Sequence, residues 1–99
     1  MLVLGIDPGT AAIGYGLVAK AGGRLTAVEH GVIRTPAGLE TALRLVQVHE
    51  QVKELLERYR PDAVAVEEIF FHRNAKTFSA VSQARGALIL TVAQCGIQV

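Results

Sequence analysis

The sequence predicts an α/β domain built on a mixed β-sheet, with its elements in the order β-β-β-α-β-α-β. Three observations support this prediction. Short apolar runs bounded by turn residues are typical of strands, and two longer stretches repeat their apolar residues at helical spacing. Hydrophobic residues make up 51% of the 99 residues, which is enough for the core of one domain and of no more than one.

The first part of the chain predicts three strands in an antiparallel meander. Residues 1–6 are almost continuously apolar, which is typical of a strand buried on both faces. Residues 11–19 form the second predicted strand and residues 25–33 the third, joined by a glycine turn at residues 21–23. The side chains expected to face the core from the third strand are Leu25, Ala27, Val32 and Ile33.

The rest of the chain alternates helices with strands. Residues 39–59 repeat apolar residues at three- and four-residue steps and stop before Pro61. Residues 63–66 are an all-apolar strand, residues 76–95 an alanine-rich helix, and residues 97–99 the start of a fifth strand. The later strands should run parallel, and these elements do not supply cover for both faces of a central parallel strand. The buried stripe expected on the first helix is Ala42, Leu45, Val48, His49, Val52, Leu55, Leu56 and Tyr59.

Charge and cysteine content limit the partners and the compartment. The net charge is only +1, so any nucleic-acid contact must come from a local cluster of cations. Cys95 is the only cysteine, and we interpret it as a buried residue of a protein in a reducing compartment. The sequence has neither a run of about 18 apolar residues nor a signal-peptide pattern. We therefore expect a cytoplasmic protein without a membrane partner.

Two acidic residues directly follow predicted buried strands. Asp7 closes the first strand, and Glu67 closes the strand at residues 63–66. In open α/β sheets, ligands gather at strand ends. If these two strands are neighbours, both carboxylates face one site. Mg²⁺ suits such a site, because it binds one or two carboxylates together with water and phosphate oxygens.

Three alternatives remain open at the level of the residues. Each acid can be an ordinary surface residue. Glu68 competes with Glu67, because side chains alternate along a strand and only one of the two faces the site. Residues 5–10, Gly-Ile-Asp-Pro-Gly-Thr, resemble the first phosphate loop of the actin- and hexokinase-like ATPases, in which backbone amides hold phosphates. That resemblance would make the chain a phosphate-binding half-domain of an ATPase.

The segment after the second acid favours DNA over a nucleotide. Phe70 lies in a predicted loop and can stack on bases or wedge between them, while Arg73 and Lys76 can bind backbone phosphates. Arg85 interrupts the alanine-rich second helix. It has three candidate partners, namely DNA, a partner chain and a buried carbonyl group. These four residues are the candidate DNA contacts.

Five motifs in the same order resemble those of the RuvC-type crossover-junction endodeoxyribonucleases, the Holliday-junction resolvases. They are residues 5–10, 14–16, 65–70, 74–77 and 83–86. The resemblance runs over the whole chain, which makes it far more specific than any single motif. It implies an RNase H-like fold, and it favours Glu67 over Glu68 as the second carboxylate.

The resemblance also implies an activity, a cofactor and partners. Asp7 and Glu67 would be catalytic metal ligands for Mg²⁺ or Mn²⁺. Phe70 would act on bases near the crossover, with Arg73 and Lys76 near the DNA backbone. A homodimer, joined at or near the second helix, would nick two strands of a four-way junction symmetrically. Further implied partners are the branch-migration helicase proteins of the same recombination and repair pathway.

The length departs from the family pattern. Family members continue for roughly another half of the domain, and their remaining catalytic aspartates lie on a C-terminal helix that has no counterpart here. We therefore expect residues 1–99 to be the N-terminal portion of a single nuclease domain, with the C-terminal elements missing. On this expectation the chain alone is inactive or nearly so. A non-catalytic module for junction binding or dimerisation is the remaining alternative.

Overall fold

A computed structural model describes residues 1–9, 11–68 and 75–99. The predicted element order is confirmed for the first six elements, with boundaries within about two residues of those expected. The elements are β1 (Leu2–Asp7), β2 (Ala12–Ala21), β3 (Arg24–Arg34), α1 (Thr41–Tyr59), β4 (Ala63–Val66) and α2 (Ala75–Gln94). Within the described ranges, neither helix is long and apolar enough to cross a membrane.

The strands form one mixed sheet in the order β3-β2-β1-β4. The meander β1-β2-β3 is antiparallel, whereas β4 returns through α1 to lie parallel to β1. The predicted fifth strand is reduced to a single parallel bridge between Ala63 and Gln98 on the outer side of β4. The main-chain N–H of Val64 donates to the carbonyl of Gln98 across 2.9 Å, so the chain does continue the sheet there.

The core lies between one face of the sheet and both helices. Alternate residues of β1, Leu4 and Ile6, point to this face and are buried, together with Val64 of β4. The same cluster includes helix residues Val48, Val52, Leu55, Leu56, Leu88 and Val92. Within the described part of the chain no helix packs on the other face. The expectation that these elements cover only part of the sheet is therefore confirmed.

Several predicted core positions are wrong. Ile33 is buried as expected, but Leu25 is 68% exposed, Val32 is 50% exposed, and Ala27 is exposed as well. Because Ile33 points to the helices, its neighbour Val32 must point to the uncovered face. The other two lie at the far end of the outermost strand, on a hairpin that neither helix covers.

Two further predictions of burial fail at helix ends. Ala42 lies in the first turn of α1 and is exposed. The later positions of the predicted stripe are buried (Val48, Val52, Leu55 and Leu56) or half-buried (Leu45, His49 and Tyr59). Cys95 follows the last residue of α2 and is exposed rather than buried.

Arg60 ends α1 as predicted, with a left-handed backbone (φ 46°, ψ 58°) and Pro61 directly after it.

A buried threonine joins the two helices. The hydroxyl of Thr91 donates to the carbonyl of Ala87 across 2.8 Å, and His49 Nδ1 lies 2.9 Å from the same oxygen. A threonine hydroxyl has one proton, and here Ala87 accepts it. With that assignment the Thr91 oxygen is the acceptor for His49, which corresponds to the imidazole tautomer with its proton on Nδ1.

Thr91→Val should lower the free energy of unfolding by about 1–2 kcal/mol. Valine keeps the shape of threonine but leaves the Nδ1–H of His49 without its acceptor. Ser82→Ala is the matched control, because Ser82 donates to Phe78 through the same kind of bond in the same helix at a more exposed position. That control should change stability by no more than about 0.5 kcal/mol. Urea denaturation of both variants measures the difference, and equal effects would contradict the role given to Thr91.

Candidate metal centre

Parallel pairing of β1 with β4 brings the two predicted acids together. Ile6 and Val66 are partners in this pairing, and Asp7 and Glu67 are the next residues on their respective strands. The main-chain N–H of Glu67 donates to the carbonyl of Ile6 across 2.9 Å, so the ladder extends to the acid itself. Asp7 is also held on its other side, where it pairs with Gly14 of β2. Both acids therefore rest on fixed strand ends.

The two carboxyl groups lie within hydrogen-bonding reach of each other on the uncovered side of the sheet. The pKa of the Glu67 carboxyl is raised above its ordinary value, first by the hydrogen bond to Asp7, then by the negative charge of Asp7, and last by slight desolvation. A hydrogen bond between two carboxyl groups requires a proton on one of them. Without that proton, the site holds two adjacent like charges, which a bound cation would stabilise.

An open groove of about 510 Å³ lies beside the pair. Its floor is strand backbone with small side chains, formed by Gly5, Gly14, Gly16 and Ala65. An added Cβ at Gly16 would meet no atom within 4 Å, and one at Gly14 would lie 4.0 Å from the Cβ of Asp7. The groove therefore has space for a sizeable ligand in direct reach of both carboxylates.

The chemistry of this donor set fits Mg²⁺ or Mn²⁺. Two carboxylates that face one another provide hard oxygen ligands and two negative charges, and Mg²⁺ takes one or two such groups beside water and phosphate. In residues 1–9, 11–68 and 75–99 no group of three or more His, Cys, Asp or Glu side chains is placed to hold a metal. The described part of the candidate site is thus a pair of carboxyl groups.

The structure describes two of the other four predicted site residues. Lys76 lies exposed in the first turn of α2. Arg85 lies two and a half turns further along α2, partly buried, and its Nε–H donates to the main-chain carbonyl of Glu67 across 3.2 Å. Phe70 and Arg73 fall within residues 69–74, outside the described residues.

One residue that sets the geometry, Asp62, has no role among the sequence-based predictions. Its Oδ2 accepts the main-chain N–H of Leu2 across 2.7 Å. Its own N–H donates to the carbonyl of Leu2 across 2.8 Å. These two bonds tie the start of β4 to the start of β1 and so help to fix the register that places the acids. An acidic residue between a proline and an apolar strand is the only local signal.

The fold is that of the Holliday-junction resolvases. It matches the structure of Thermus thermophilus RuvC in complex with Holliday junction substrate, with a TM-score of 0.85 and 35% identity, over 98% of this chain and 60% of that one. It also matches the yeast mitochondrial Holliday junction resolvase Ydc2, with a TM-score of 0.72, over 98% of this chain and 49% of that one. The identity there is 15%, so this second likeness shows the fold alone.

The family follows from the sequence match. The family model described as crossover junction endodeoxyribonuclease RuvC matches residues 3–99. The chain therefore belongs to the RuvC family, and the resemblance inferred from the motifs is confirmed along with the RNase H-like mixed sheet. A relative from Syntrophomonas wolfei, named crossover junction endodeoxyribonuclease RuvC, is 54% identical over all 99 residues of this chain. The chain spans 58% of the length of that relative.

Mn²⁺ should broaden the amide resonances around Asp7 and Glu67 in NMR spectra of the chain, because a paramagnetic ion relaxes nearby nuclei. Glu67→Gln should weaken this effect by about tenfold or more in Mn²⁺ concentration, since it removes one of two charged ligands. Glu68→Gln is the matched control, with the same change one residue along, and should broaden as the unmodified chain does. Equal loss in both variants would contradict the assignment of Glu67.

Asp7→Asn should lower the pKa of Glu67 towards its ordinary value, because Asp7 is the source of both leading causes of the shift. A carboxyl group whose pKa is raised in the folded state lowers the free energy of unfolding at pH values above that pKa. This destabilisation is relieved as the pH falls through the raised pKa, because the group takes up a proton. A ¹³C NMR titration of the Glu67 carboxyl measures the change. Glu68→Gln should leave the midpoint where it is. An unshifted midpoint in Asp7→Asn would contradict the observed contact.

Proposed function

We propose that this chain carries the Asp7–Glu67 half of the active site of a metal-dependent endonuclease that resolves four-way DNA junctions. The observation that supports this proposal is the contact between the two carboxyl groups at the ends of adjacent parallel strands. Family membership supports the substrate class, since the relatives are named crossover junction endodeoxyribonucleases. The structure of Thermus thermophilus RuvC with its Holliday junction substrate supports binding to the same kind of DNA.

The residues of the chain have defined tasks in this proposal. Asp7 and Glu67 hold Mg²⁺ or Mn²⁺, and the bound ion supplies Lewis-acid activation of a phosphodiester and of the attacking water. A bound cation would offset the negative charge of Asp7 that raises the pKa of Glu67, so metal binding and release of a proton from Glu67 would be coupled. The bare backbone of the adjacent groove leaves room for a DNA phosphate to approach the pair.

DNA contacts are proposed for residues that follow the second acid. Lys76 is exposed at the start of α2, which directly follows the segment that contains Phe70 and Arg73. By family resemblance, Phe70 would act on bases at the crossover, and the two cations would bind backbone phosphates. With a net charge of only +1, the chain depends on such a local cluster for its attraction to DNA.

A homodimer and a completed active site are parts of the same proposal. Symmetric nicking of two strands needs two active sites, and α2 offers Gly86 and the 58% exposed Leu90 on its outer side for a partner helix. We further propose that residues 1–99 are the N-terminal portion of one nuclease domain, with more metal ligands supplied from beyond them. The pair of ligands and the 58% coverage of a relative support this. We also propose that the protein acts with branch-migration proteins and that it is located in the cytoplasm.

Nicking should require more than this chain, whereas junction binding should not. The test compares the 99-residue chain with a longer version in which the C-terminal part of the Syntrophomonas wolfei relative follows residue 99. Binding to a synthetic four-way junction is measured in EDTA, and nicking is measured after Mg²⁺ is added. Binding by both and nicking by the longer version alone is the expected result. Rapid nicking by the short chain would contradict the proposed division of the site.

Asp7→Asn in the longer version separates a nuclease from a non-catalytic binding module. It should slow nicking by at least about a hundredfold, because metal activation is worth several kcal/mol. Junction binding in EDTA should stay unchanged, since Asp7 carries no DNA contact in this proposal. Glu68→Gln serves as the control and should nick normally. If Asp7→Asn abolishes binding and nicking together, the metal-ligand role is wrong.

A further inference from the structure

Arg85 reaches from α2 to the acid at the end of β4. Its Nε–H donates to the main-chain carbonyl of Glu67 across 3.2 Å in a solvent-exposed hydrogen bond, and the Arg85 residue as a whole is partly buried. Sequence analysis left three candidate partners for this arginine, namely DNA, another chain and a buried carbonyl. The partner that the structure shows is a carbonyl group, the main-chain carbonyl of Glu67. The side chain of the same residue is a proposed metal ligand.

The hydrogen bond from Arg85 lies just beyond the last paired residues of β1 and β4. The N–H of Glu67 donates to Ile6, so β1 holds the peptide group before the acid. The pairing of β1 with β4 ends at Ile6 and Val66, and the carbonyl of Glu67 lies beyond it. Arg85 binds that carbonyl, so the peptide group after the acid is also held. A residue held at both of its peptide groups has a restrained backbone, which fixes the direction in which its side chain leaves the strand end.

We propose that Arg85 is a positioning residue for the metal site, because it holds the main chain of Glu67 at the point from which that side chain reaches towards Asp7. The inference rests on the proposed function. The contribution is geometric, because the pKa of Glu67 is raised by Asp7 and by desolvation, with no part for Arg85 among the causes. Partners that hydrogen-bond the ligating group itself commonly change metal affinity by about 10- to 100-fold when they are removed, and for a partner that holds the main chain of the ligand we expect the lower end of that range.

Three substitutions separate the hydrogen-bond donor of Arg85 from its charge. Arg85→Gln keeps an N–H donor the same number of bonds from Cα as Nε, but it loses the charge. Arg85→Met keeps a similar length and apolar surface without any donor. Arg85→Lys keeps the charge but places its donor one bond further out and loses the planar geometry. Positioning through the Glu67 carbonyl requires the donor, whereas binding to a DNA phosphate requires the charge.

The experiment measures Mn²⁺ binding to the 99-residue chain by paramagnetic broadening of amide resonances around Asp7 and Glu67. Arg85→Met should need about ten times more Mn²⁺ than the unmodified chain for equal broadening, or more. Arg85→Gln should stay within about threefold of the unmodified chain, and Arg85→Lys should fall between the two. Arg24→Met in the β2–β3 hairpin removes the same charge far from the site and should have no effect.

The proposal is wrong if Arg85→Met binds Mn²⁺ as the unmodified chain does, or if Arg85→Lys binds it better than Arg85→Gln. Should Arg85→Met fail to fold, the order of the Gln and Lys variants decides alone. Failure of the unmodified chain to show broadening at Asp7 and Glu67 would instead contradict the proposed metal site itself. The two failures are therefore distinguishable.

Discussion

The parallel pairing of β1 with β4 is the constraint on which the site depends. Val64 and Val66 of β4 face the core beside Leu4 and Ile6, so Glu67 emerges on the side of Asp7. A slip of one residue would turn both valines to solvent and bring Glu68 into the place of Glu67. Burial of one such side chain is worth about 1.5–3 kcal/mol. Hydrophobic burial in the strand thus selects which of two adjacent acids lies beside Asp7.

Features that depend on local sequence could be predicted. The apolar runs of β1 and β4, the stop of α1 at Arg60, and the acids at two strand ends all follow from neighbouring residues, and their positions are confirmed. Burial in β3 could not be predicted in this way. Whether Leu25 lies under a helix depends on the position of β3 at the edge of the sheet, which is a property of the whole topology.

The site itself was predictable as a pair of residue types but not as a contact. Apolar strands before Asp7 and Glu67 indicated that both could share an edge, and the order of the strands in the sheet determines that they do. The hydrogen bond between Leu2 and Asp62 joins residues that are 60 positions apart. The hydrogen bond from Arg85 to Glu67 joins residues that are 18 positions apart. Such distant partners leave no periodic pattern, so sequence analysis gave Asp62 no role and left three partners open for Arg85.

The glycines around Asp7 show where stability and function diverge. Gly5, Gly14 and Gly16 lie inside strands, where each glycine costs about 0.5–1 kcal/mol relative to alanine. Internal packing does not require all of them, because an added Cβ at Gly16 would meet nothing within 4 Å and one at Gly14 only an ordinary contact. Glycines within strands often mark close approach by a ligand or another backbone. Their position beside two acids that repel each other fits a surface shaped for a cation and a phosphate rather than for the stability of the sheet.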